Sequence, residues 1–80
     1  MFFVYVLFSE SAKRRYVGMS ASPEDRLKQH NAGYTKSTKA YRPWKIVYTE
    51  SFDTLEEARN KEVYLKSGIG REFLNKVLHS

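Results

Sequence analysis

Apolar and aromatic side chains run unbroken from Phe2 to Phe8 and then give way to a polar turn, Ser9 to Lys13. A run this short, rich in β-branched and aromatic residues and apolar on both faces, predicts a central β-strand. Arg15-Tyr16-Val17-Gly18-Met19 predicts a second strand ended by Gly18, and the short connection favours an antiparallel hairpin with the first. Ser22-Pro23-Glu24-Asp25 has the marks of a helix start: a capping hydroxyl, proline in the first turn, and acids near the positive end of the dipole. That helix should end by Asn31 or Gly33. From Tyr34 to Pro43 there is no apolar period, which predicts a loop. Trp44 to Phe52 alternates, with Trp44, Ile46 and Tyr48 on one face of a third strand. Thr54-Leu55-Glu56-Glu57 forms a capping box that opens a helix reaching about Ser67-Gly68. After a glycine-flanked turn at Gly68-Ile69-Gly70, the grouping of Phe73, Leu74 and Val77 predicts a shorter helix from Arg71 to Leu78. The order β-β-α-β-α-α describes an α+β fold, a small three-stranded antiparallel sheet flanked by helices, as a single domain over residues 1–80.

Eighty residues bury only about 60% of the surface of the unfolded chain, so the core must be efficient. With no cysteine, neither disulfides nor thiolate metal sites staple it, and a reducing, cytoplasmic setting fits. The Phe2–Phe8 run is far short of the roughly 20 residues of a membrane helix, and no basic segment precedes it as in a signal peptide, so no membrane association is expected. The net charge of +5 is unevenly placed. Residues 13–45 hold nine of the fourteen Lys and Arg and only Glu24 and Asp25 as acids, a local +7, whereas the remainder sums to −2. A basic face of this kind suits a polyanionic partner, and it equally suits a solvated surface kept for solubility.

Three sets of residues look out of place for mere folding. On the second long helix, 100° per residue puts Glu62 within the apolar stripe of Leu55, Ala58 and Leu65. An unpaired carboxylate there is costly, so it should be neutral, holding a metal, or, at a frayed end of the stripe, paired with an arginine. Arg26 and His30 stand one turn apart beside the core position Leu27. An arginine offers paired donors to a phosphate and a histidine moves protons near neutral pH, although such a pair is also common surface decoration. Tyr5 interrupts an otherwise apolar strand, and a buried phenol needs a partner. Tyr16, on the adjacent strand, is placed to share its face. Taken singly, each tyrosine reads as a core or interface aromatic.

Together these positions resemble the GIY-YIG nuclease family over nearly the whole chain. Phe3-Val4-Tyr5 matches the first motif, Tyr16-Val17-Gly18 the second, Asp25-Arg26-Leu27 the helix arginine, His30-Asn31 the histidine one turn on, and Glu62 the metal-binding glutamate. Arg42-Pro43-Trp44 and the segment from Lys66 to Leu74 look like the compact stand-alone bacterial members. Phe3 stands where the family name has glycine, a second histidine of some members is absent, and the family's terminal asparagine falls at Asn75.

The resemblance implies a metal-dependent endonuclease or nickase of low sequence specificity, acting on DNA in preference to RNA. Glu62 would hold one Mg2+ or Mn2+, Tyr5 with Tyr16 or His30 would deprotonate water, and Arg26 would offset charge on the phosphate. The segment carrying Lys36, Lys39, Arg42, Tyr34 and Tyr41 would grip phosphates and stack on exposed bases. With no room for a targeting domain, such an enzyme would favour structured, single-stranded or damaged substrates or rely on a targeting protein partner. It would work as a monomer or as a homodimer with two active sites. The rival reading is a non-catalytic nucleic-acid-binding or interaction module on the same scaffold.

Overall fold

The computed structural model describes residues 1–78. Its elements are β1 (Phe2–Ser9), β2 (Arg14–Ser20), α1 (Pro23–Ala32), α2 (Lys36–Lys39), β3 (Lys45–Phe52), α3 (Leu55–Lys66) and α4 (Gly68–Leu78). The strands form one antiparallel sheet in the order β2-β1-β3. The doubly apolar β1 is central because only there are both faces covered. On one face Val4 and Val6 meet Ala58, Leu65 and Leu74 of α3 and α4. On the other, Tyr5, Leu7 and Trp44 form a second cluster with Tyr16, Leu27, Tyr41 and Ile46.

The structure departs from the sequence pattern in several places. The polar segment after α1 is not all loop. It winds into the single turn of α2, with Thr38 buried at its centre, so the chain order is β-β-α-α-β-α-α. The turn is held by local bonds from Thr38 N–H and Lys39 N–H to the Thr35 carbonyl rather than by an apolar stripe. Gly18 does not end β2. It sits mid-strand opposite Tyr5, under the tyrosine ring.

In β3, Val6 pairs with Tyr48 but Leu7 pairs with Ile46, so Val47 is an extra bulged residue. A bulge reverses the alternation beyond it. Trp44 and Ile46 therefore stay with Tyr5, while Tyr48 crosses to the α3–α4 face and packs edge-on against Phe73 at 6.1 Å. The glycine-flanked turn before α4 is the first turn of α4 itself, and Ser67 alone breaks the chain between the helices. Gly70 is the reason: a Cβ there would lie 2.0 Å from the Tyr64 carbonyl oxygen. Starting at Gly68 also sets the helix phase so that Gly70, Leu74 and Leu78 face inward and Val77 outward.

Another departure concerns the α3 stripe. Ala58 and Leu65 are buried, but Leu55, in the first turn, is exposed and Phe52 covers the core there instead. The caps differ in kind. Thr54 accepts from Glu57 N–H at 3.2 Å, and its hydroxyl donates to the Glu57 carboxylate at 2.9 Å rather than leaving that carboxylate on the backbone. Ser22 makes no capping bond. The start of α1 relies on Pro23 and on the acids Glu24 and Asp25, and Gly33 in the left-handed region (φ 86°) ends it. No helix among the described residues is long and apolar enough to cross a membrane.

Candidate active site

The site begins with Tyr5 at the middle of β1. Its partner across the β1–β2 ladder is Gly18, and a Cβ at that position would meet the phenol Cζ and oxygen at 2.5 Å. The missing side chain lets the ring lie flat over β2 and carry its hydroxyl toward the sheet edge. Tyr16, two residues before Gly18 and on the same face, has its ring centroid 6.4 Å from that of Tyr5. The two tyrosines share a face, as their places on adjacent strands allowed and the strand register decides.

His30 completes the group from the last turn of α1. It is buried, 4.6 Å from Tyr16 and 6.4 Å from Tyr5 between ring centroids. Its polar atoms are fully used: Nδ1 lies 2.9 Å from Thr38 Oγ1 and Nε2 lies 3.3 Å from the Tyr5 hydroxyl. Thr38 Oγ1 also donates to the Thr35 carbonyl at 3.2 Å. A hydroxyl has one proton, so Thr38, having given it to the carbonyl, accepts from His30 Nδ1–H. That fixes the tautomer. Nε2 keeps its lone pair and accepts from the Tyr5 hydroxyl. Thr38 is thus a positioning residue that sequence reasoning missed, because a threonine in an aperiodic polar segment carries no signal of burial. Trp44 locks the same turn by donating its indole N–H to the Thr38 carbonyl at 2.9 Å, and Asn31 ties Trp44 to the end of α1 through both its backbone N–H and its carbonyl.

The electrostatics agree with this hydrogen-bond pattern. Burial, reinforced by the nearby Arg26 guanidinium, holds His30 below its ordinary pKa and therefore neutral. Burial first, and then the neighbouring Tyr16, push Tyr5 up to about 12; Arg26 opposes the shift and Glu62 adds to it. Arg26 and Glu62 thus act on Tyr5 from outside the aromatic group, Arg26 from the exposed face of α1 and Glu62 from α3.

Glu62 is not the buried stripe residue of the pattern. Its side chain is 19% exposed, and Lys66, one turn on, rather than an arginine, donates to Oε2 at 3.3 Å. The i,i+4 spacing made Lys66 legible as a partner in the sequence.

The structure brings Tyr5, Tyr16, His30, Arg26 and Glu62 into one electrostatic neighbourhood, and of the other candidates Tyr41 packs with the Tyr5 cluster. Arg42 donates to the carbonyls of Lys39 and Asn31 and braces α2. Tyr34 is exposed, Lys36 and Lys39 lie on the outer surface of α2, and Tyr41 is half-buried beneath Arg14, whose guanidinium stacks 4.5 Å from the ring centre. Asn75 accepts from Arg15 across the gap between α4 and β2.

A neutral histidine in the core has a consequence for stability. The unfolded chain takes up a proton at His30 near its ordinary pKa of about 6.5, whereas the native state resists until lower pH. Below that pH the unfolded state therefore binds more protons, and stability falls as the solution is acidified. We expect the melting temperature to drop as pH falls through about 6.5, and His30→Gln to flatten that dependence. An equally steep loss in His30→Gln would place the titrating group elsewhere.

Comparison with known proteins agrees with the geometry. The GIY-YIG catalytic domain family matches residues 1–74. A UPF0213 protein of Clostridium perfringens is 37% identical over 67 residues, covering 82% of this chain and 71% of that protein. A structure-specific endonuclease subunit SLX1 homologue of Giardia intestinalis is 45% identical over 42 residues, about half of this chain and 12% of that protein. The solution structure of a UPF0213 protein from Bacillus halodurans superposes with a TM-score of 0.57 at 30% identity, covering 96% of this chain and 85% of that one. With the family match spanning nearly the whole described chain, the chain belongs to the GIY-YIG catalytic domain family.

Proposed function

We propose that this protein is a metal-dependent endonuclease hydrolysing phosphodiester bonds of DNA. The observation that carries the reading is the directed hydrogen-bond chain from the Thr35 carbonyl through Thr38 and His30 to the Tyr5 hydroxyl. A phenol pushed up to about 12 is ionised in only about one molecule in 10⁵ at neutral pH, so free phenolate is a poor base here. The chain supplies an alternative. As the attacking water passes a proton to the Tyr5 oxygen, Tyr5 passes its own to His30 Nε2, the water oxygen forms its bond to phosphorus, and the P–O bond to the leaving sugar oxygen breaks, that oxygen taking up a proton from solvent. His30 becomes cationic beside Thr38 and returns the proton to solvent later. Arg26, whose charge already acts on Tyr5 and His30, would offset charge gathering on the phosphate oxygens, as a preorganised cation does.

The donor set around Glu62 fits a hydrated magnesium or manganese ion. It offers one hard carboxylate whose Oε1 accepts no hydrogen bond among the described residues, and no cluster of three or more metal-ligating side chains exists there. Magnesium keeps most of its waters and needs few protein carboxylates when a substrate phosphate completes its shell. When bound, the ion would supply Lewis-acid stabilisation of the phosphate. Lys66, released from Glu62, would turn to the phosphate backbone.

The test is incubation with end-labelled DNA in magnesium or in EDTA. We expect cleavage in magnesium only, and Tyr5→Phe to lower its rate by roughly 10²–10⁴-fold, the range for a lost general base. Binding without cleavage by the unaltered protein under every metal condition would favour the rival reading, a non-catalytic module on the same scaffold.

A further inference from the structure

Beside Tyr16 an open groove of about 880 Å³ runs along the outer edge of β2, between α2 and the α3–α4 pair. Its charged lining residues are Lys13, Arg14, Arg15, Lys66 and Arg71, with no acid among them. The cations come from three separate parts of the chain. Successive residues of a strand point to opposite faces, and Arg14 and Arg15 follow that rule. Arg14 turns toward α2 and stacks on Tyr41, whereas Arg15 turns toward α4 and donates to Asn75. Each guanidinium is thereby held on its own side of the β2 edge before any ligand arrives. Tyr16 and Tyr41 add aromatic surface to the same groove.

We infer that this groove is the binding track for an unpaired nucleic-acid strand, with its phosphates on Arg14, Arg15, Lys66 and Arg71 and its bases against Tyr16. The inference rests on the nuclease reading for its choice of polyanion and extends it to the form of the substrate. A cationic groove interleaved with aromatic faces matches single strands, whose bases are free to stack; a duplex turns its bases inward and leaves the aromatic wall unused. It also moves the phosphate contacts away from Lys36, Lys39 and Arg42, which lie outside the groove, Arg42 donating there to two backbone carbonyls.

Fluorescence anisotropy in EDTA, with a labelled oligothymidylate and a hairpin duplex as probes, tests the track without any chemistry. We expect tighter binding of the single strand. Arg14→Ser/Arg71→Ser should weaken it about tenfold and lower the slope of log affinity against log salt by about 1.4, two phosphate contacts at roughly 0.7 each. Arg14→Lys/Arg71→Lys should restore most of the affinity, which separates lost charge from lost folding. Lys36→Ser/Lys39→Ser should change affinity by less than about twofold. Preference for the duplex, an undiminished affinity in the groove variant, a larger loss in the α2 variant, or no binding of either probe each overturns the proposal. Because no metal is present, a groove result stands even if the assignment of Glu62 and Tyr5 to catalysis fails, and loss of cleavage with intact binding isolates the converse.

Discussion

Glu62→Ala is expected to abolish detectable metal-dependent cleavage, a loss of roughly 10²–10³-fold by analogy with removing a single preorganised charge-stabilising group, while leaving the fold intact. Both halves follow from where the side chain sits. Its hydrogen-bonding partner among the described residues is Lys66, a half-exposed lysine one turn along the same helix, and such pairs contribute only about 0.3–0.5 kcal/mol. The backbone of α3 does not need this carboxylate, because Ala58 and Leu65 bury the helix and Thr54 caps it. Chemistry, by contrast, has no substitute for it. The other nearby groups are phenols, an imidazole and cations, none of them a hard anionic oxygen donor. Thermal melting of the variant within a few degrees of the parent, together with cleavage lost in magnesium and manganese alike, is the expected pair of results. Undiminished cutting would remove Glu62 from the mechanism and with it the proposed ion site.

The largest structural effect should come from Gly70→Ala, a change that elsewhere in a helix is favourable by about 0.8–1 kcal/mol. Here the added methyl would stand 2.0 Å from the Tyr64 carbonyl oxygen and 2.6 Å from Leu65 Cα. Those are backbone atoms of α3 and cannot turn aside. The two helices must separate, and Leu65 and Leu74, which close the core over Val4 and Val6, separate with them. We expect a loss of about 3 kcal/mol or more, measured by urea unfolding. Against the roughly 4–12 kcal/mol typical of 80 residues, that leaves a marginal fold. Gly68→Ala is the matched control. A Cβ there meets nothing within 4 Å, so it should be neutral or mildly stabilising. If the two variants unfolded alike, helix propensity rather than the α3–α4 approach would govern the junction.

The sequence by itself determined β1 as the central strand, because a run apolar on both sides needs cover on both sides. It also determined the hairpin with β2, the span of α1 and the start of α3. The catalytic candidates were legible because each is chemically costly where its pattern puts it: a phenol in an apolar strand, a carboxylate near an apolar stripe, a histidine beside a core leucine.

Periodicity was silent wherever a residue's surroundings come from elsewhere in the chain. Val47 bulges, and so sends Tyr48 to the opposite face from Ile46, only because of its pairing with β1. Gly70 looked like a turn residue because local pattern cannot see that another helix backbone lies against it. Thr38 is buried because α1 and Trp44 close over it, and that burial is what gives His30 its tautomer. Charge counted along the chain pointed to residues 13–45 as the basic face. The basic groove instead joins Lys13, Arg14 and Arg15 to Lys66 and Arg71 from the stretch that sums to a negative charge. Composition assigns charge to segments, whereas a ligand meets only the charges that folding brings to one surface.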